Sequence, residues 1–201
     1  DFLRDNAGLD YDEEEADLLI GADGLYSDVR ATFSEDFEPD LLEGRNRFTW
    51  FGTEREFEAL SHIYVDTPDG IWHVGAYPGP TSTFIVSCEP ETFRAAGIAE
   101  KSEAEYLSYL ETVFEDHLDG HSLLSKADKW RQFTTVTVDT WTSDNVALLG
   151  DAAHTAHFTI GSGTRMAMED AIELADALTD SSLDERTALA TYERERRPAT
   201  E

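Results

Sequence analysis

Two short stretches hold most of the residues that can do chemistry, and each begins where an apolar run ends. In the first, Asp17-Leu18-Leu19-Ile20-Gly21 runs into Ala22-Asp23-Gly24, with Ser27 and Arg30 following at the start of a predicted helix. Gly24 permits the positive φ of a tight turn. Asp23 falls at the carboxyl end of a strand, where open α/β sheets receive their ligands. In the second, Asn145-Val146-Ala147-Leu148-Leu149 delivers Gly150, Asp151 and Ala152. A loop of small residues then leads to Gly161-Ser162-Gly163, which opens a predicted helix over 162–178. The Asp151 carboxylate can accept hydrogen bonds from the hydroxyls of a polyol. The bare helix start offers N–H donors and a positive dipole end to an anionic group, and its glycines let a ligand approach the backbone closely. His157, in the same loop, can hydrogen-bond a ligand or pack as an ordinary histidine, and the residues alone leave both readings open.

The elements that must position these turns change type along the chain. The runs over 16–22 and 145–149 are nearly all apolar, the pattern of strands covered on both faces in a parallel sheet. Between them lie short β-rich runs at 47–53, 61–66, 71–77 and 83–87, some separated by turn chemistry such as Pro68-Asp69-Gly70 and Pro78-Gly79-Pro80. The run 132–140, rich in Thr, Val and Phe, extends that sheet. Ser102 and Glu105 make a capping box and predict a helix with Tyr106, Leu110, Val113 and Phe114 on its packed face. Residues 192–197 read as helix until Pro198. The expected fold class is α/β, α+β overall. Parts of a Rossmann-like domain over 1–45 and 141–201 are interrupted over 46–140 by a mostly antiparallel sheet.

Composition narrows the partners. Asp and Glu number 43 against 15 Lys and Arg, a formal charge of −28, so nucleic acid and anionic membrane surfaces would be repelled. The 40% hydrophobic and 11% aromatic fractions, with four Trp and eleven Phe, argue against a disordered acidic chain. Only Lys101, Lys126 and Lys129 are lysines. An acidic, lysine-poor globular chain suits a salt-rich cytoplasm, so a halophilic protein is expected. The lone cysteine, Cys88, sits in the apolar run 84–88 and is expected to be buried and inert. No Cys/His spacing suggests a metal site, and no apolar run or leader pattern suggests a membrane span or secretion. The chain reads as cytoplasmic.

Together and in this order, the two turns resemble the "DG" and "GD" motifs of the FAD-dependent aromatic hydroxylases, the group A flavoprotein monooxygenases that include para-hydroxybenzoate hydroxylase. The resemblance implies FAD on a Rossmann-type sheet and NADH or NADPH as reductant. It also implies a flavin C4a-hydroperoxide, formed with O₂, that passes one oxygen atom to an activated aromatic ring. By the same resemblance Asp151, flanked by Gly150 and Ala152, would bind the ribityl chain. Gly161, Ser162 and Gly163 would face the N1–C2=O edge and steady the anionic reduced flavin. Asp23 and Gly24 would lie near the pyrophosphate, Arg30 would support the turn and sense NAD(P)H, and His157 is the candidate catalytic residue. Asp170, on the following helix, is expected to matter far less to cofactor binding than Asp151. The insert would roof an aromatic small-molecule substrate.

Departures from the family pattern refine this. Phe158 stands where the family usually has Pro, and Arg165 where it has Asn. The variant loop from His154 to Thr164 resembles the branch acting on coenzyme A thioesters, such as salicylyl-CoA 5-hydroxylase and 2-aminobenzoyl-CoA monooxygenase. A CoA adduct is anionic and needs a local basic patch, for which Arg45, Arg47, Arg55 and Arg94 are the candidates. No Gly-x-Gly-x-x-Gly turn occurs in these 201 residues, so the chain is expected to be a fragment of a longer enzyme. Two alternatives stand beside this reading. One is an isoprenoid-chain reductase of the geranylgeranyl type, although Met168-Glu169-Asp170-Ala171 fits the hydroxylase branch better. The other is a non-catalytic remnant unable to hold FAD.

Overall fold

The computed structural model describes residues 17–125 and 129–200. In chain order the elements begin with β1 (Leu19–Gly21), α1 (Asp28–Thr32), α2 (Ser34–Phe37) and β2 (Pro39–Thr53). Strands β3 (Ser61–Thr67), β4 (Gly70–Tyr77) and β5 (Ser82–Cys88) follow, then helices α3 (Pro90–Ala95), α4 (Glu103–Val113) and α5 (Glu115–Leu118). Next come β6 (Leu123–Ser125), β7 (Arg131–Val138), β8 (Thr142–Ser143) and β9 (Val146–Leu148), and the chain closes with α6 (Gly163–Thr179) and α7 (Glu185–Thr200). Contacts divide it into two units, one holding residues up to Leu42 and from Thr134 onward, the other Glu43–Phe133.

In the first unit β1 and β9 pair in parallel, Leu19 opposite Val146 and Gly21 opposite Leu148, with β8 antiparallel on the far side of β9. Strand β9 is buried throughout, whereas Ile20 of β1 is 43% exposed, so β1 is covered on one face and not on both as its apolar run suggests. Leu174 and Ala177 of α6 and Ala188, Leu189 and Tyr192 of α7 join Leu19, Phe37, Trp141 and Leu148 in one buried cluster. A Cβ on Gly21 would stand 2.6 Å from Leu148 Cδ2 and 3.0 Å from Val29 Cβ, so glycine here lets α1 close onto the strand. The fully buried Tyr192 hydroxyl donates to the Leu148 carbonyl at 2.8 Å, fastening α7 to β9, and burial pushes its pKa far up. Helix α7 does not stop at Pro198 as the sequence suggests. A proline in the last turn removes a single N–H, and the helix runs on to Thr200, whose hydroxyl donates to the Arg197 carbonyl at 2.9 Å.

The second unit is an antiparallel sheet of order β3-β4-β5-β2-β6, with β7 also pairing β2. Strand β2 begins well before the expected position 47. Its early half alternates poorly, Leu41 and Leu42 both being exposed, and Pro39 occupies the first strand position, where proline is tolerated. The Ser102–Glu105 capping box is present: Ser102 Oγ accepts from Glu105 N, and the Glu105 carboxylate accepts from Ser102 N at 2.8 Å. Helix α4 therefore starts where it can bury Leu110, with Phe114 just beyond it, against Phe51, Trp72, Val74, Phe84 and Val86. Cys88 lies in that cluster at 3% exposure. Burial pushes its thiol up to about 12, outweighing the pull of Arg47 and keeping it protonated.

Among the described residues, no helix is long and apolar enough to cross a membrane and no group of three or more His, Cys, Asp or Glu could hold a metal. The formal charge of −28 is a standing repulsion within the folded chain that mobile ions screen. The thermal unfolding midpoint is therefore expected to rise as KCl goes from dilute to molar. A midpoint that stays level or falls in scanning calorimetry would count against the halophilic reading.

Candidate functional site

The first turn leaves β1 through Gly24 at φ +81, a conformation that an L side chain rarely adopts. Asp23 does not simply point outward. Its Oδ2 accepts from the backbone N–H groups of Asp28 (2.8 Å) and Val29 (3.2 Å), capping α1, while its Oδ1 is buried without a partner among the described residues. Ser27 Oγ accepts from Arg30 N at 2.9 Å and completes the helix start. Arg30 is only 4% exposed, and its guanidinium is aimed inward. Nη2 donates to the Leu25 carbonyl (2.6 Å) and Nη1 to the carbonyls of Ala152 (2.8 Å) and Asp151 (3.4 Å). Burial lowers its pKa and Asp23 works against that shift. One cation thus joins the two turns by their backbones.

The second turn is set by Gly150 at φ +60, where a Cβ would press to 3.0 Å on Ala167 Cβ. Helix α6 can therefore lie directly on the turn. Ala152 and Ala153 are buried behind it, and Asp151 between β9 and the helix is exposed, its carboxylate making no hydrogen bond to a described residue. The turn is held from below by Asp170, which is fully buried. Asp170 Oδ2 accepts from Gly150 N (3.1 Å) and faces His154 Nε2 (2.7 Å), and its Oδ1 accepts from Arg196 Nε (2.8 Å). His154 stacks on Trp141, centroids 4.9 Å apart at 14°. Burial alone would push the Asp170 carboxyl up, but the hydrogen bonds from His154 and Arg196, the His154 charge and the Gly150 N–H together hold it below the ordinary aspartate value.

The sequence expectation for Asp170 concerned cofactor affinity alone, and the structure adds a different role: it anchors the loop that presents Asp151. Its partner Arg196 lies on α7, and no local spacing links the two. The only sequence signal is weak: an Asp on the face of α6 that also carries Leu174 and Ala177.

Farther along the loop, His157 is an exposed residue whose Nδ1 meets the Thr159 hydroxyl at 2.8 Å and accepts from Thr159 N at 3.4 Å. Its ring lies 4.3 Å from that of Phe158, and partial burial lowers its pKa, so the neutral Nε2–H form prevails near neutral pH. Gly161 has φ +67 and open space beside it. Ser162 occupies the N-cap of α6 but gives the backbone no side-chain cap. Its hydroxyl turns to Met166 Sδ at 3.4 Å, and the first turn carries no acidic residue. The first-turn N–H groups keep their donor capacity and the positive helix end is not offset. Arg165 turns along the helix to Glu169 at 2.6 Å.

Of the four candidate arginines, Arg45 and Arg94 converge on Glu91 at 3.8 and 2.9 Å, and Arg47 lies beside Cys88. Arg55 stands apart, its guanidinium carbon 5.4 Å from the Phe57 ring centre.

A free carboxylate at the end of a parallel strand, an open glycine corner and an uncapped helix N-terminus form a donor and acceptor set suited to a polyol joined to an anionic ring edge. The chain belongs to the FAD binding domain family, whose pattern matches residues 4–201. Salicyloyl-CoA 5-hydroxylase from a Streptomyces species is 40% identical over 211 residues, covering all of this chain and 40% of the relative. The 3-hydroxy-4-methyl-anthranilyl-[aryl-carrier protein] 5-monooxygenase of Streptosporangium sibiricum is 37% identical, covering 92% of this chain and 49% of its own. Among solved structures, the tetrameric form of 2-methyl-3-hydroxypyridine-5-carboxylic acid oxygenase superposes with a TM-score of 0.69 at 23% identity, over 92% of this chain and 51% of that one, which shows a shared fold. The chain thus spans about half the length, or less, of the relatives it matches.

Proposed function

We propose that this chain is part of a flavin-dependent monooxygenase that hydroxylates an aromatic substrate carried as a thioester of coenzyme A or of a carrier protein. FAD would be its cofactor, NADH or NADPH the reductant and O₂ the oxygen source, in the cytoplasm. The observation that carries the reading is the exposed, unbonded Asp151 beside the uncapped start of α6, both fixed by buried contacts. When bound, FAD supplies the redox chemistry and the activation of oxygen.

The chain's own residues supply the rest. Asp151 accepts hydrogen bonds from ribityl hydroxyls. The N–H groups at Gly163 and the residues after it, with the helix dipole behind them, favour negative charge on the ring edge. Asp23 and Gly24 shape the turn toward the pyrophosphate. Arg30 and Asp170 hold the two turns at fixed spacing. His157, neutral and donating through Nε2, is the group for a substrate or cofactor oxygen. The sheet of the Glu43–Phe133 unit carries the aromatic substrate on the face away from its helices. Arg45 and Arg94, two exposed cations on one carboxylate, are the pair placed to meet the phosphates of a thioester carrier.

The test is an FAD fluorescence titration of a chain extended with a family Gly-x-Gly-x-x-Gly segment. Asp151→Ala is expected to weaken binding by about 1.5–3 kcal/mol, the range of a charge-assisted hydrogen bond. Asp176→Ala, exposed on the same helix, should leave affinity unchanged. Equal losses at both positions would contradict the ribityl role.

A further inference from the structure

On the face of the Glu43–Phe133 sheet opposite its helices, three polar side chains connect across three strands. His62 Nδ1 on β3 meets His73 Nε2 on β4 at 3.0 Å, and His73 Nδ1 meets Ser87 Oγ on β5 at 2.9 Å. The imidazole centroids are 5.2 Å apart and their planes differ by 15°. That separation matches one nitrogen–nitrogen bond plus a ring radius at each end. The rings therefore lie edge to edge in nearly one plane, and a proton sits on the line between them. His62 is exposed and Ser87 is 7% exposed, so the chain runs from water to a covered hydroxyl.

The strand registers show what surrounds it. Tyr64, His73, Ser87 and Phe48 stand in one row across β3, β4, β5 and β2, and His62, Gly75, Ile85 and Trp50 in the next. Gly75 is buried, yet a Cβ built on it would meet nothing within 4 Å. The face is therefore hollow there, with Ile85, Trp50 and the two imidazoles around the hollow. An apolar recess with this polar chain at its edge suits a flat ring bearing one ionisable hydroxyl.

We propose that His62, His73 and Ser87 form a proton path that carries the hydroxyl proton of a phenolic ligand from Ser87 to water at His62. The proposal rests on the reading that this face carries an aromatic substrate. At rest the Ser87 hydroxyl donates to His73 Nδ1, His73 Nε2–H donates to His62 Nδ1, and His62 Nε2–H faces water. A ligand hydroxyl bonded to Ser87 gives its proton to Oγ as Ser87 passes its own to His73. His73 then passes one to His62, and His62 releases one to water. The ligand loses one proton, water gains one, and no charge remains on the three side chains. Each imidazole ends in its other tautomer, and reprotonation of the ligand runs the path backward. Tyr64, whose ring lies 4.6 Å from His73, with Asp66 and Tyr77, are the other titratable groups on this face of β3 and β4.

Long-range proton–nitrogen NMR of the 201-residue chain reads both tautomers. Ser87→Ala is expected to shift the tautomer balance of His62, which it does not touch, as well as that of His73. A His62 signal indifferent to Ser87→Ala would overturn the path. The second arm titrates 4-nitrophenol, whose anion is coloured, with the same chain. Its apparent ionisation is expected to fall by about one pH unit on binding, because Ser87 donates to the anion, and to return to the free value in Ser87→Ala. Binding with an unshifted ionisation overturns the path and leaves the aromatic-face reading standing. Failure to bind at all, with the tautomers still coupled, overturns the reading of the face and with it a path serving a phenol.

Discussion

Asp170→Ala is expected to cost about 3–5 kcal/mol of folding stability, the range found when one member of a buried ion pair is removed. The substitution takes the carboxylate from three groups at once: the Gly150 N–H, His154 and the Arg196 Nε, whose guanidinium keeps only Glu169, at 3.3 Å, among the described residues. Urea unfolding measures the loss, and a change below about 1 kcal/mol would show that water replaces the carboxylate easily. Asp170→Asn keeps an acceptor for Arg196 and is expected to fall between the two. The pH dependence has a definite sign. The folded carboxyl titrates below its ordinary value, so its contribution is complete above the unfolded pKa, roughly 3.9, and is lost as pH falls through the folded value. The difference between the parent chain and Asp170→Asn should stay constant near neutrality and shrink only in acid.

The second large effect concerns the 201-residue chain by itself, which is expected to hold FAD at millimolar affinity or weaker. It contains no Gly-x-Gly-x-x-Gly turn to place a helix N-terminus against a pyrophosphate. Two or three charge-assisted hydrogen bonds fewer remove on the order of 3–9 kcal/mol. Micromolar to nanomolar complexes are held by only about 8–12 kcal/mol. What remains is Asp151, the α6 start and the turn at Asp23, whose second oxygen faces inward. An FAD fluorescence titration in molar KCl decides the matter, and tight stoichiometric quenching would show that these residues suffice.

Much of this was legible in sequence because it is local. Apolar runs of the right length gave β1 and β9, Ser102 and Glu105 start α4, and the glycines mark the turns at positions 24, 150 and 161, all with positive φ. What was not legible depends on residues distant in the chain. The Ala152 carbonyl that Arg30 holds lies 122 residues along the chain, and Arg196, which Asp170 holds, lies 26 residues along it, so local spacing shows neither pairing. The early start of β2 was hidden for another reason. Its first half lacks the alternation that marks a strand with one covered face, so periodicity had nothing to report before Arg47.

The pairing of β1 with β9 also sets an order of assembly. Leu19 and Val146 are neighbours in the sheet but lie far apart in the sequence, and closing so long a flexible loop is entropically unfavourable and slow. The Glu43–Phe133 unit is continuous in sequence and can form as soon as it leaves the ribosome. Its first and last strands then meet: β2 pairs β7, and Gln132 Nε2 donates to the Gly44 carbonyl at 2.7 Å. That clasp shortens the loop that β1 and β9 must close and so lowers the entropic cost of their pairing.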